Sequence, residues 1–161
     1  MSHPDPALEW FREIVEPTVA EFLVSPGDKR RGCLAALAVA SMTEHYFSSR
    51  MALGKDKKGL GRFKAEVRDY KNGAGNFSVG FVADIANAVK HVERKNGVGH
   101  EDLKPQRINT CGVMRCGWPL TPNPQILVGE NLEWRLVDLI KTATDFWREK
   151  LGLSGHLSQP R

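Results

Sequence analysis

A chain of 161 residues, 41% of them hydrophobic, is long enough for one domain whose core needs no disulfide or metal. Its 23 basic and 19 acidic residues leave a formal net charge of +4, which permits RNA or another polyanion as a partner without requiring one. Three cysteines, no secretion-signal pattern at the N-terminus and no apolar run near the ~20 residues of a membrane span argue against a disulfide framework and a membrane protein. We expect a cytoplasmic protein.

The N-terminal third predicts two helices. Asp5-Pro6 is typical of a helix start, and Pro17 should kink or restart the helix that follows. Residues 25–28 break it. A second helix over about residues 29–53 is apolar all round in its first half, so it should lie at the centre of a helical bundle. Its polar second half carries His45.

Basic residues cluster after the second helix. Glycines at 54, 59 and 61 predict a flexible basic loop over residues 54–62, followed by a short helix over about 62–70. Such a loop could contact a phosphate backbone or could be no more than a solvated loop, diluted by acidic neighbours. The cationic side chains of this stretch are Lys55, Lys57, Lys58, Arg62, Lys64, Arg68 and Lys71.

An amphipathic helix over residues 77–94 is the most informative stretch of the chain. At about 100° per residue, Asp84, Asn87 and His91 fall within roughly 60° of each other beside the apolar stripe. Polar groups on the border of a buried face are held in place yet remain reachable. This helix is therefore the first candidate for a site, although the same side chains could also form a hydrogen-bonded network inside the bundle.

The last third combines extended and helical patterns. Residues 108–114 and 125–128 flank a proline-rich turn and predict a β-hairpin with a long loop, at the edge of any sheet. A final helix is expected over about residues 130–151, and residues 154–161 should form a flexible tail. The fold prediction is a mainly α bundle of four or five helices with a small β-hairpin before the last helix, in one domain over residues 1–153.

The motif Asn87-Ala-Val-Lys90-His91 near the end of a core helix resembles the HEPN (higher eukaryote and prokaryote nucleotide-binding) superfamily. The order of elements is also similar to uncharacterised bacterial HEPN-like proteins, with His45 in the preceding long helix. These are small α bundles, many of them RNases of toxin or defence systems. The active pattern of the family places an Arg several residues before the His, and Asp84 stands at that position here.

The resemblance implies an RNA-directed protein, with metal-independent endoribonuclease activity as its most specific form. His91 would transfer the proton of a ribose 2′-hydroxyl, and Lys90 or Arg94 would stabilise phosphate charge. Asp84 would orient His91, and Asn87 would position the phosphate. The resemblance also implies a homodimer. The expected RNA-contacting residues are Lys55, Lys57, Lys58, Arg62 and Arg94, with His45 in support.

A different class of function stays open. A non-catalytic interaction module, or an inhibitor, would bind a partner protein or small ligand in the groove near His45 and His91. We predict no cofactor and no metal site, because Cys111 and Cys116 lack a second ligand pair of zinc spacing. The sequence also lacks the phosphate-binding, dinucleotide-binding, serine-hydrolase and zinc-protease signatures.

Overall fold

The computed structural model describes residues 5–51, 56–71, 78–90, 104–106, 125–128 and 134–153. Over these ranges the chain is mainly helical, with a small antiparallel sheet before the last helix, which confirms the predicted fold class. The helices are α1 (Pro6–Trp10), α2 (Glu16–Val24), α3 (Lys29–Tyr46), α4 (Lys57–Arg68), α5 (Ser78–Lys90) and α6 (Leu136–Lys150). The strands are β1 (Lys104–Gln106), β2 (Gln125–Val128) and β3 (Trp134–Arg135). No helix in this part of the chain has the length and hydrophobicity that a membrane crossing requires.

The N-terminal helix runs past Pro17 without a break, so the predicted restart there is wrong: the residues at both junctions of the π-helical turn have helical dihedral angles. Asp5 caps α1 by accepting a hydrogen bond from the Ala7 backbone N–H at 3.0 Å. A π-helical turn over Phe11–Val15 joins α1 to α2, and Pro17 lies in the first turn of α2. The Glu16 N–H donates to the Phe11 carbonyl oxygen, and such a π-helical turn accommodates the neighbouring proline, which has no backbone N–H to donate.

The central position predicted for α3 is confirmed. This helix packs against α1, α2, α4, α5 and α6, and its small residues allow close approach. A Cβ at Gly32 would lie only 2.8 Å from the Leu136 side chain of α6. The α-helical pattern ends at Tyr46 and continues as a π-helical turn over Phe47–Met51, whereas residues 52 and 53 of the predicted helix lie outside the described ranges.

The flexible loop predicted over residues 54–62 is wrong from residue 57 onwards, because α4 already begins at Lys57. The Asp56 side chain caps this helix by accepting a hydrogen bond from the Gly59 N–H at 2.9 Å. Phe63 and Val67 are buried and anchor α4 on the bundle. These tertiary contacts outweigh the low helix propensity of the glycines.

The predicted amphipathic helix is present as α5, but its buried face is rotated slightly from the apolar stripe that the sequence predicts, which includes Phe81, Ile85 and Val89. Val82 and Ile85 are fully buried, whereas Phe81 and Val89 are only partly buried. α5 packs against α3, α4 and α6. The continuation of the predicted helix beyond Lys90 lies outside the described residues.

The sheet has the order β1-β2-β3, with both neighbouring pairs antiparallel. β1 contains Pro105 and is an edge strand, in line with the predicted edge feature. The first hairpin strand predicted over residues 108–114 and the tail over 154–161 lie outside the described ranges. The helix start predicted near residue 130 is wrong at Trp134–Arg135, because these residues are extended and pair with β2. From Leu136 onwards the predicted apolar stripe of α6 is buried as expected.

Candidate functional site

A cleft of about 250 Å³ lies where α3, α4 and α5 meet. Its apolar wall comes from small side chains of these helices, such as Ala40, Val79 and Ala83. The polar and charged residues in its lining are Ser41, Thr43, Glu44, Lys64, Arg68, Asn87 and Lys90. Three of these are cations, and no aromatic side chain of the described residues lines the cleft. The surface therefore suits an anionic group better than a stacked ring.

One charged pair of the cleft joins α4 to α3. Lys64 Nζ lies 2.6 Å from Glu44 Oε1, and both side chains are about half exposed, at 49% and 60%. The hydrogen bond from Lys64 lowers the pKa of Glu44 below its ordinary value, against the opposing effect of burial. The charge of Lys90 also contributes to this lowering of the pKa, which places Lys90 within electrostatic reach of Glu44.

A second charged pair joins α4 to α5. An Nη atom of Arg68 donates to Asp84 Oδ2 at 2.8 Å. Burial raises the pKa of Asp84 above its ordinary value, and the charge and hydrogen bond of Arg68 offset that effect only in part. The two helices touch here, because a Cβ at Gly80 would lie 2.6 Å from the Arg68 carbonyl oxygen. Glycine at position 80 therefore permits the approach that brings Arg68 to Asp84.

The sequence-predicted residues of α5 have different positions in this arrangement. Asn87 and Lys90 are exposed and line the cleft beside the cations of α4. Asp84 lines an adjoining depression, together with Arg68, Gly80 and other residues. The structure thus places Asp84 and Asn87 on one side of α5, as their spacing of three residues predicts, and Lys90 lines the cleft beside Asn87.

Several predicted residues do not join this group among the described residues. Lys57, Lys58 and Arg62 are exposed on α4 but do not line the cleft. The predicted catalytic residue His91, with Lys55 and Arg94, lies outside the described ranges. Its predicted role stays a prediction.

His45 faces α1. Its ring stacks on Trp10, with ring centroids 4.2 Å apart and an interplanar angle of 13°. The Trp10 indole N–H donates to Ser41 Oγ at 2.9 Å, which fixes the tryptophan against α3. Burial lowers the pKa of His45 below its ordinary value, and the neighbouring charge of Glu44 opposes that effect. Glu44, the residue before His45 in α3, lines the cleft, whereas His45 does not.

Within the described part of the chain, no group of three or more His, Cys, Asp or Glu residues is placed to hold a metal ion. Cys33 is buried in α3 and its thiol pKa is raised by burial, although the charge of Lys29 acts in the opposite direction. A buried thiol of raised pKa is a packing residue. Cys111 and Cys116 lie outside the described ranges.

Sequence reasoning included Lys64 and Arg68 only as members of a long basic stretch and did not single out Glu44. Their spacing of four residues places Lys64 and Arg68 on one face of a helix, next to the buried Phe63 and Val67. Both residues lie in the short helix predicted over residues 62–70, but the sequence does not show that this helix packs against α3 and α5. Glu44 is next to His45 in the sequence, but its partner on α4 is 20 residues away.

No protein-family model matches this chain, and neither a curated protein nor a solved structure is detectably similar to it. The HEPN resemblance therefore rests on the sequence motif of residues 87–91 and the order of elements.

Proposed function

We propose that this chain is an RNA-directed protein that binds the phosphate backbone at the cleft between α3, α4 and α5. The observation that carries the proposal is the convergence of three cations, Lys64, Arg68 and Lys90, from two helices on one concave surface. Asn87 adds an amide that can donate to phosphate oxygens. The small side chains of the cleft wall leave room for a sugar-phosphate group.

The residues of the cleft also indicate which part of RNA would be bound. Arg and Lys side chains bind phosphates through charge-assisted hydrogen bonds, which carry no sequence information by themselves. The described lining supplies no aromatic platform for base stacking. We therefore expect binding that depends strongly on salt and weakly on RNA sequence.

Fluorescence anisotropy with a labelled single-stranded RNA at several salt concentrations tests the proposal. The double variant Lys64→Ala/Arg68→Ala should weaken binding about tenfold or more and reduce the slope of log affinity against log salt by about 2. The double variant Lys57→Ala/Lys58→Ala is the matched control, since it removes two cations from exposed positions of the same helix. It should change binding much less. Equal losses in the two variants would move the RNA-contacting surface out of the cleft.

We propose cleavage as the finer form of this function, with His91 as the acid or base that the HEPN resemblance implies. Its test is incubation of structured RNAs with purified protein in EDTA, with His91→Ala alongside. Cleavage by the wild type that is lost in the folded variant would support it. Absence of cleavage by both would leave an RNA-binding protein without nuclease activity. The homodimer and the role in a toxin or defence system likewise rest on the resemblance.

A non-catalytic interaction module is the second candidate, and one observation favours it. Asp84 and Glu44 are each paired with a cation of α4, as in a structural network that holds helices together. A module for a protein or small ligand would show no RNA cleavage, and its affinity for RNA would not respond to the loss of Lys64 and Arg68. The anisotropy experiment therefore separates the two candidates.

A further inference from the structure

Helix α4 carries two cations on the cleft, and each is already bound to a carboxylate of another helix. Lys64 pairs with Glu44 of α3 at 2.6 Å, and Arg68 pairs with Asp84 of α5 at 2.8 Å. A phosphate that binds Lys64 and Arg68 would lie close to Glu44 and Asp84, because each carboxylate is within hydrogen-bond distance of one of these cations. Like charges at such separations repel each other.

The two pairs are built in a way that allows exchange. The side chains of Lys64, Glu44 and Arg68 are each about half exposed, and that of Asp84 is 22% exposed. An exposed pair such as Lys64–Glu44 contributes little to stability because water and salt screen it. Arg68 uses one nitrogen on Asp84, and its guanidinium has further N–H donors. Lys64 can therefore change partners without a large loss, and Arg68 can bind a phosphate through its remaining N–H groups.

We propose that Glu44 and Asp84 act as internal competitors of the anionic ligand, so that RNA binds the cleft by displacing them from Lys64 and Arg68. This inference rests on the proposed function, since it describes how the same cleft is regulated. In the free protein the two carboxylates occupy the cations. In the complex, phosphate oxygens take their place.

The exchange does not require α4 to leave the bundle. Phe63 and Val67 lie on the buried side of this helix and hold it in both states. The cleft residues Lys64, Arg68 and Lys90 supply three positive charges against the two negative charges of Glu44 and Asp84. An approaching phosphate thus meets a small net attraction, and removal of one carboxylate should strengthen that attraction.

Binding of two probes by the full chain tests the proposal: a mixed-sequence single-stranded RNA of 12 nucleotides and inorganic tripolyphosphate. The variants are Asp84→Asn and Glu44→Gln, with Glu13→Gln as the matched control. Glu13 is exposed and does not line the cleft. Each cleft variant should bind both probes about fivefold more tightly at low salt, and the gain should shrink as salt is raised. The control should bind as the wild type does. Circular dichroism and thermal unfolding of each variant verify that the fold is retained.

The possible outcomes separate this proposal from the proposed function. RNA binding that is unchanged or weaker in both cleft variants would overturn the competition and leave RNA binding in place. Tighter binding of tripolyphosphate, with no RNA binding by any variant, would support the competition and overturn the RNA function. If no variant binds either probe, both proposals are wrong.

Discussion

Two of the Asp–Arg ion pairs have the same chemistry, yet the carboxyl pKa lies below its ordinary value in one pair and above it in the other. Asp5 pairs with Arg50 at the start of α1, and Asp84 pairs with Arg68 at the cleft. Burial acts to raise both pKa values. At Asp5 the hydrogen bonds from Arg50 and from backbone N–H groups outweigh burial, so the pKa is lowered. At Asp84 burial outweighs Arg68, so the pKa is raised.

The number of donors explains the difference. Two nitrogens of Arg50 donate to one oxygen of Asp5, Nε at 2.7 Å, and the Ala7 N–H donates to the other oxygen. Arg50 also reaches the Lys150 carbonyl oxygen and lies over the Tyr46 ring, so this pair ties the start of α1 and the π-helical turn after α3 to the end of α6. Asp84 receives one side-chain hydrogen bond among the described residues. A carboxylate that is well supplied with hydrogen-bond donors, such as Asp5, has a structural role. A carboxylate that is poorly supplied with donors, such as Asp84, can exchange its partner.

The substitution Gly80→Ala should break the ion pair between Arg68 and Asp84 and have the largest effect on stability. Its Cβ would lie 2.6 Å from a backbone oxygen of Arg68, so α4 or α5 must shift. We expect a loss of about 1–3 kcal/mol in the free energy of unfolding, measured by urea denaturation.

Gly61→Ala is the matched control for Gly80→Ala. A Cβ at Gly61 meets nothing within 4 Å, and alanine favours a helix over glycine. This variant should be more stable than the wild type by about 0.5–1 kcal/mol. If Gly80→Ala is as stable as the wild type, the close contact between α4 and α5 does not exist in solution.

Alanine substitution of each aspartate in turn should change the free energy of unfolding less than Gly80→Ala does, and it compares the two ion pairs directly. Asp5→Ala removes a helix cap together with the ion pair and should cost about 1 kcal/mol or more. Asp84→Ala removes a half-buried charge that is poorly compensated, so its cost should stay within about 0.5 kcal/mol. Urea denaturation near pH 7 measures both. Equal losses would show that the pair at the cleft is as structural as the pair at α1.

The predictable parts of the fold are those fixed by local pattern. The apolar first half of α3 and the stripe of α6 from Leu136 onwards follow from helical periodicity, and the sheet before α6 follows from turn composition. The start of α4 was missed because Gly59 and Gly61 suggest a loop. The Asp56 cap and the burial of two apolar side chains decide that segment instead, and only the second of these depends on the rest of the fold.

The candidate site was predictable only in part, for a related reason. Periodicity places Asp84 and Asn87 beside the apolar face of α5, where the structure has them. The partners of Asp84 and Glu44 lie 16 and 20 residues away on α4, and such pairs are set by how helices pack against each other. An approach as close as that of Arg68 to Gly80 leaves no signal in one sequence apart from the glycine itself.

The pH dependence of stability in the acid range gives the smallest and most direct test of the comparison. The ordinary pKa of both aspartates is 3.8. Because the folded pKa of Asp5 is lower, this residue stabilises the fold above pH 3.8, and the stabilisation is lost as pH falls through the folded pKa. The folded pKa of Asp84 is higher, so its ionised form costs stability, and the cost disappears as pH falls through that pKa towards 3.8.

The variants Asp5→Asn and Asp84→Asn should therefore change the loss of stability between pH 5 and 3 in opposite directions. Between pH 5 and 3, Asp5→Asn should lose less stability than the wild type, because the acid-sensitive contribution is already absent. Asp84→Asn should lose more, because the compensating gain on protonation has been removed. Urea midpoints at pH 3, 4 and 5 measure both slopes. Parallel slopes in the two variants would contradict the distinction between a well-supplied and a poorly supplied carboxylate, and with it the physical basis for exchange at the cleft.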